Sequence, residues 1–278
     1  MAVCEKTGMM DRLTVARINL IEVYHLTGKL RKGLDLADRT VAHAREVAHR
    51  YGIALGLRYR SLILTDIGRL VDSVENAEEA LRICREIGSA EDILSVIIVL
   101  IRARLVVGEG TEVLPLLEEA LKMVDIADAE GFQPILHVWR SRFLAHSGQN
   151  DAARAAIEDA LAAPSRQWPQ QKCRLKLNLA RAYEAVGDTE AALAAADEGL
   201  RIADACGFRY YAMRARHVLT RLQPDESARA RHARVASALA RSLAVGLSRD
   251  DLQCFLEHQG VKRRRTVRLG LDRTESIP

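Results

Sequence analysis

Residues 168–207 read WPQQKCRLKLNLARAYEAVGDTEAALAAADEGLRIADACG. The stretch divides into two helical patterns, Trp168–Val186 and Asp188–Cys206, with Gly187 between them and Gly207 after them. A residue without Cβ can take the left-handed conformation that ends a helix, so both glycines predict helix stops. Gly199-Leu200 follows Gly187 by twelve and thirteen positions and belongs to the buried face of the second helix. Working outward, the same layout returns. Gly148, Gly108, Gly68 and Gly28 precede Gly187 at spacings of 39, 40, 40 and 40 residues. Ala160-Leu161, Ala120-Leu121, Ala80-Leu81 and Thr40-Val41 keep step with them. A fixed period in the range of about 20–50 residues is the signature of a solenoid, in which each unit packs on its neighbours.

The expected fold is all-α: a right-handed superhelical solenoid of about six antiparallel helix pairs. The pairs read 9–52, 53–88, 89–131, 132–167, 168–207 and 208–247, with Gly52, Gly88, Gly131 and Gly207 closing second helices. The sixth pair lacks the phased glycine, and Gln223-Pro224-Asp225 acts as the breaker. Ser248 and Asp251 resemble a capping box that starts a short helix over 249–258, which would cover the last apolar face. Residues 1–260 then form one repeat domain, and 261–278, charged and aperiodic, read as a disordered basic tail.

Apolar residues make up 49% of the chain and aromatics only 4%, the balance of close-packed helices rich in Ala and Leu. The formal charge of +4 is concentrated: from Lys262 onward six basic residues face two acidic ones. Residues 1–261 therefore balance, which argues against nucleic acid as a partner. Five cysteines lie far apart without a CxxC spacing, as expected of reduced thiols in a cytoplasmic protein. The apolar run Ile93–Ile101 is about half the length a membrane span requires and reads as a helix buried by its neighbours.

In the fifth repeat, Leu179-Ala180, Tyr183, Gly187-Asp188, Glu190, Ala192-Leu193 and Leu200 resemble the tetratricopeptide repeat (TPR) pattern of small and large packing residues. Ala180 would let the paired helices approach, and Tyr183 would fill the space between them. The period of 40 exceeds the common TPR length of about 34. In this it is similar to the long repeats of bacterial multidomain regulators, such as MalT-like activators and kinase- or cyclase-linked sensor regions. The resemblance implies a protein-interaction module, either a stand-alone adaptor or a sensor segment working with a kinase, cyclase or ATPase effector domain outside this chain.

The family geometry implies a concave groove lined about six positions before each phased glycine, by Glu22, Leu62, Arg102, Arg142 and Arg181. Arg58 and Arg174 lie one turn earlier. Arginine presents a planar fork of donors that matches carboxylate or phosphate. Arg58, Leu62, Arg102, Arg142, Arg174 and Arg181 are the candidate partner-binding residues, for a protein or acidic peptide segment. Ile98, Val138 and Leu177 would add apolar contact. The competing reading pairs these arginines with acids on neighbouring helices. Tyr210 and Tyr211 would fill a gap between helices, and Glu78-Glu79 and Glu118-Glu119, repeated at one phase, read as a solvated face. No catalytic motif, metal-ligand spacing or cofactor loop is present in the sequence, so no enzyme, metal or cofactor is expected. A helical-repeat RNA binder and an oligomerisation scaffold are the alternative functions.

Overall fold

The computed structural model describes residues 10–108, 112–127, 129–164 and 168–259. The basic tail expected over 261–278 lies outside them. The described residues form thirteen α-helices and one 3-10 turn (Glu130–Phe132), with no strand among them. Six helices are the first members of pairs: α1 (Met10–Leu26), α3 (Arg50–Ile67), α5 (Ala90–Val107), α7 (Gln133–His146), α9 (Pro169–Ala185) and α11 (Arg209–Leu222). Their partners are α2 (Leu30–Glu46), α4 (Leu70–Ile87), α6 (Val113–Ala127), α8 (Asn150–Ala162), α10 (Thr189–Cys206) and α12 (Glu226–Leu243). The short helix α13 (Arg249–His258) ends the described chain.

Local chemistry sets these boundaries. Ser89, Asp188, Asp225 and Ser248 each accept a hydrogen bond from the backbone N–H three residues on, capping α5, α10, α12 and α13. The five phased glycines all take left-handed φ, from +76° to +95°. Two glycines expected to end helices behave otherwise. Gly131 sits in the 3-10 turn, and Gly52 lies inside α3, where a Cβ would press on His49, Ala44 and Thr14. Gly52 is thus needed for close packing. The chain turns instead at Ala48, whose φ is +53°.

The small residue of each small-plus-Leu pair is buried in all five repeats, from Thr40 to Gly199. Its neighbour is less uniform: Val41, Leu81 and Leu200 are buried, Leu121 is half-buried and Leu161 is exposed. Leu161 falls in the last turn of α8, the shortest second helix.

Each first helix touches the next first helix, and each of the first five second helices bridges consecutive first helices. The series does not end open. Helix α11 packs against α1, so the six first helices close into a ring. Leu243, at the end of α12, fills the space beside Gly28, where a Cβ would collide with it. Helix α13 folds back onto α3: Phe255 is fully buried, and His258 and the Cys254 carbonyl crowd Gly68. Asp251, in the first turn of α13 and buried, faces Arg69 at 3.4 Å and Arg31 at 3.9 Å. The C-terminal helix therefore caps the array by joining its last unit to its first two.

Candidate functional site

Closure brings four first helices onto one carboxylate. Asp66, near the end of α3, is fully buried. His25 Nε2 from α1 lies 2.5 Å from its Oδ2, and the Tyr210 hydroxyl from α11 donates to its Oδ1 at 2.5 Å. Arg102 from α5 donates to the same Oδ1. The Gln259 amide reaches the Asp66 backbone carbonyl at 3.3 Å. Burial alone would raise the Asp66 pKa. The Arg102 guanidinium and the His25 bond override it and hold the carboxyl well below its usual range. Burial and the Asp66 charge push Tyr210 in the opposite direction, so its hydroxyl stays protonated and donates. The cluster is a closed polar knot inside the ring, every oxygen of its carboxylate bonded.

Two recesses flank the knot. The smaller, about 250 Å³, is lined by residues of α1, α3, α5, α9 and α11 and contains Glu22, His25, Arg58, Tyr59, Leu62, Arg174 and Tyr211. The Arg58 guanidinium stacks over Tyr59, 4.4 Å from the ring centre. The larger, about 1080 Å³, opens at the C-terminal ends of α5, α7, α9 and α11, with α12 and the end of α13 as its outer wall. Seven arginines line it, and none of its described lining residues is Asp or Glu.

The six sequence-nominated residues are therefore divided. Arg58, Leu62 and Arg174 line the small recess; Arg102, Arg142 and Arg181 line the large one. Arg102 is engaged with Asp66, a bond between neighbouring repeats. Of the apolar residues expected to supply contact, Ile98 lines the small recess, whereas Val138 and Leu177 are buried in the core and present no surface. Leu177 packs toward the second helix of its pair, against Gly199. The repeated glutamates have partners of their own. Arg45 pairs with Glu79, and one repeat later Arg85 pairs with Glu119, both with two bonds of 2.6–2.9 Å.

In the large recess, Arg221 is also neutralised, by two 2.7 Å bonds to Glu184. Arg142, Arg181, Arg214, Arg234 and Arg241 have no carboxylate partner among the described residues. Arg142 stacks on Trp139 at 4.5 Å, and its buried Nη1 bonds to nothing. Burial, together with the guanidiniums of Arg214 and Arg102, pushes Arg142 down to about 9. Arg214 is the main influence on Arg181, with burial, Arg142 and Arg221 adding to it, and holds that group well below the usual arginine range. His217, beside them, is pushed down to about 4 by burial and by Arg221, Arg181 and Arg214. Cations gathered in a half-buried space without acids form a site with the opposite charge left to be supplied.

Arg214, Arg221, Arg234 and Arg241 were missed by the glycine phasing, because the sixth pair has no phased glycine to count from. A signal existed: Arg214, His217 and Arg221 recur at i, i+3 and i+7, one face of α11. For Asp66 and His25 no local pattern marks the pairing.

Protein-family profiles give no match to this sequence, and no curated protein matches it either. Solved structures do. A crystal structure of a point variant of a kinesin light chain-like protein from Podospora anserina, with nearly identical TPR-like repeats, superposes with a TM-score of 0.51 at 19% identity. The match covers 69% of this chain and 95% of that one. A second structure of that protein superposes with a TM-score of 0.50 at 18% identity, over 78% and 99% of the two chains. The fold is a TPR-like solenoid. Within that architecture, the contact of α11 with α1 is what turns the concave side of the TPR-like array into an enclosed lumen with two mouths. No described helix is long and apolar enough to cross a membrane.

Proposed function

We propose that this chain is a protein-interaction module that captures an acidic peptide segment at the arginine-lined mouth. It would serve as an adaptor or as the cytoplasmic sensor segment of a bacterial signalling or transcription regulator with a kinase, cyclase or ATPase partner domain. The observation that carries this reading is the set of five arginines without carboxylate partners around a cavity of about 1080 Å³. An extended or helical peptide rich in Asp and Glu would present its side chains to Arg234 and Arg241 at the rim and to Arg142 and Arg181 further in. A non-catalytic role is supported by the burial of the His25–Asp66 pair in the lumen, whose carboxylate is also taken up by Tyr210 and Arg102. The ring closure also joins the first and last repeats, which favours recognition inside the lumen over assembly through open ends.

The test is fluorescence anisotropy with a labelled Asp/Glu-rich peptide. Wild type is expected to bind. Arg142→Glu with Arg181→Glu should lose roughly tenfold or more in affinity while keeping its helical circular dichroism. Equal affinity in the two proteins would refute the reading. Arg102 is left intact, because its replacement would strand Asp66.

A further inference from the structure

We propose that the inner end of the large recess is a binding site for a phosphate-type, multiply charged anion, held by Arg142, Arg181 and Arg214. This deepens the preceding reading by naming the chemistry of the anchoring group, and it rests on the large mouth being the binding site.

Three features of the recess lead there. First, the three arginines come from α7, α9 and α11, three consecutive first helices in contact with one another, so the stacking of successive units gathers them. Arg214 acts against both Arg142 and Arg181, Arg142 adds to it at Arg181, and the one acid that offsets Arg142, Glu184, is already bonded to Arg221 and lies outside the described lining. A single carboxylate would leave two of the three charges unmatched, whereas a phosphate brings close to two negative charges and three acceptor oxygens. Second, the donors are aimed and held. Arg142 sits over the Trp139 ring at 4.5 Å with a buried, unbonded Nη1, and Arg214 lies over the Tyr210 ring at 5.9 Å. A guanidinium fixed by stacking loses little freedom on binding and offers paired donors to an oxyanion. Third, the described lining holds no acid to supply the counter-charge, and the sequence that follows it is mostly basic. The chain continues from Gln259, at the recess, into a sequence of six basic and two acidic residues.

The volume exceeds that of one phosphate and lies at the upper end of the ~300–1,000 Å³ typical of small-molecule sites. Two sources share the chemistry: a small polyphosphorylated molecule filling the recess, or a phosphorylated side chain of a peptide seated in the mouth. His217 stands beside the arginines and is neutral at pH 7 in the empty site. An anion would favour its protonated form, adding a donor on binding.

Isothermal titration calorimetry and thermal unfolding at matched ionic strength test the proposal. The probes are sodium tripolyphosphate, a phosphoserine peptide, and the same peptide unphosphorylated but rich in Asp and Glu. Tripolyphosphate is expected to bind, to raise the unfolding temperature by several degrees, and to shift the His217 ring resonances toward the protonated form. If the source is a peptide, the phosphoserine form binds about tenfold or more tightly than the unphosphorylated one. Arg142→Gln with Arg181→Gln should weaken either probe about tenfold or more, and the rim variant Arg234→Gln with Arg241→Gln only a few-fold. The rim variant keeps the test readable if the inner one does not fold. Absence of binding by both phosphate probes overturns the inference, as does equal loss from rim and inner variants. Binding of the unphosphorylated acidic peptide alone would leave the peptide reading standing and sink this one. Binding of tripolyphosphate without any peptide would do the reverse.

Discussion

Asp66 shows what one buried residue is asked to do. It receives donors from His25, Arg102 and Tyr210, whose side chains come from repeats one, three and six. Asp66→Asn would leave the Arg102 guanidinium uncompensated in the interior, which costs about 3–5 kcal/mol; urea unfolding followed by circular dichroism measures it. The folded pKa of Asp66 lies below its ordinary value of 3.8, so its contribution is complete above that pH and fades as pH falls through the folded value. His217 acts at milder acidity. Its folded pKa of about 4 lies below the ordinary 6.5, so between those values the unfolded chain holds more protons and stability falls as pH drops. His217→Gln should flatten the dependence of melting temperature on pH between about 6.5 and 4. The arginines of the large recess predict an opposite sign to most mutations. Arg181→Gln removes one of several facing cations and should stabilise the anion-free protein by on the order of 1 kcal/mol, seen as a raised melting temperature in anion-poor buffer.

Elements are bounded by glycines with equal conformational roles and unequal surroundings. Gly28 and Gly108 both have left-handed φ, +76° and +95°. Around Gly108 a Cβ would meet nothing within 4 Å, whereas at Gly28 it would run into Leu243. Alanine at either position costs about 1–2 kcal/mol for its backbone conformation. Gly28→Ala should lose a further 1–3 kcal/mol, roughly, through the clash, and only this variant should loosen α1 from α11 and α12. Comparing their denaturation midpoints with protection of α1 amides in hydrogen exchange checks both halves. The ion pairs between second helices, Arg45–Glu79 and Arg85–Glu119, repeat on the exposed outer wall. Each contributes at most about 1 kcal/mol there, so they help set the register of neighbouring units without deciding the fold.

For the whole molecule, closure is the property that encloses the site. The floor of the large recess needs α5 for Arg102, α7 for Arg142, α9 for Arg181 and α11 for Arg214, and the knot at Asp66 needs α1 and α11 in contact. Leu243 is a buried apolar plug at that seam. Leu243→Asp, which places a charge against Gly28, should open the ring while leaving the helices formed. The radius of gyration by X-ray scattering should then rise clearly above the ~19 Å expected of a compact chain of this length. Tripolyphosphate affinity should fall with it. An unchanged radius together with unchanged affinity would show that the seam does not maintain the site.

The sequence by itself determined what depends on neighbours a few positions away. The period of the phased glycines, the Ser and Asp caps, the breaker at Gln223-Pro224-Asp225 and the span of α13 all rest on backbone chemistry within about one helical turn. The inward direction of Arg102, Arg142 and Arg181 was legible for the same reason, because equal phase in equal units means equal direction. Only the tertiary structure decided which of these arginines is held and which is left open. Arg102 meets Asp66 thirty-six residues away, and Tyr210 meets it across 144. Whether such contacts form depends on the small rotation between consecutive units, summed around six pairs until the last meets the first. That sum has no local marker in the residues, and it is what brought α11 against α1 and turned an open array of TPR-like pairs into a ring with a charged lumen.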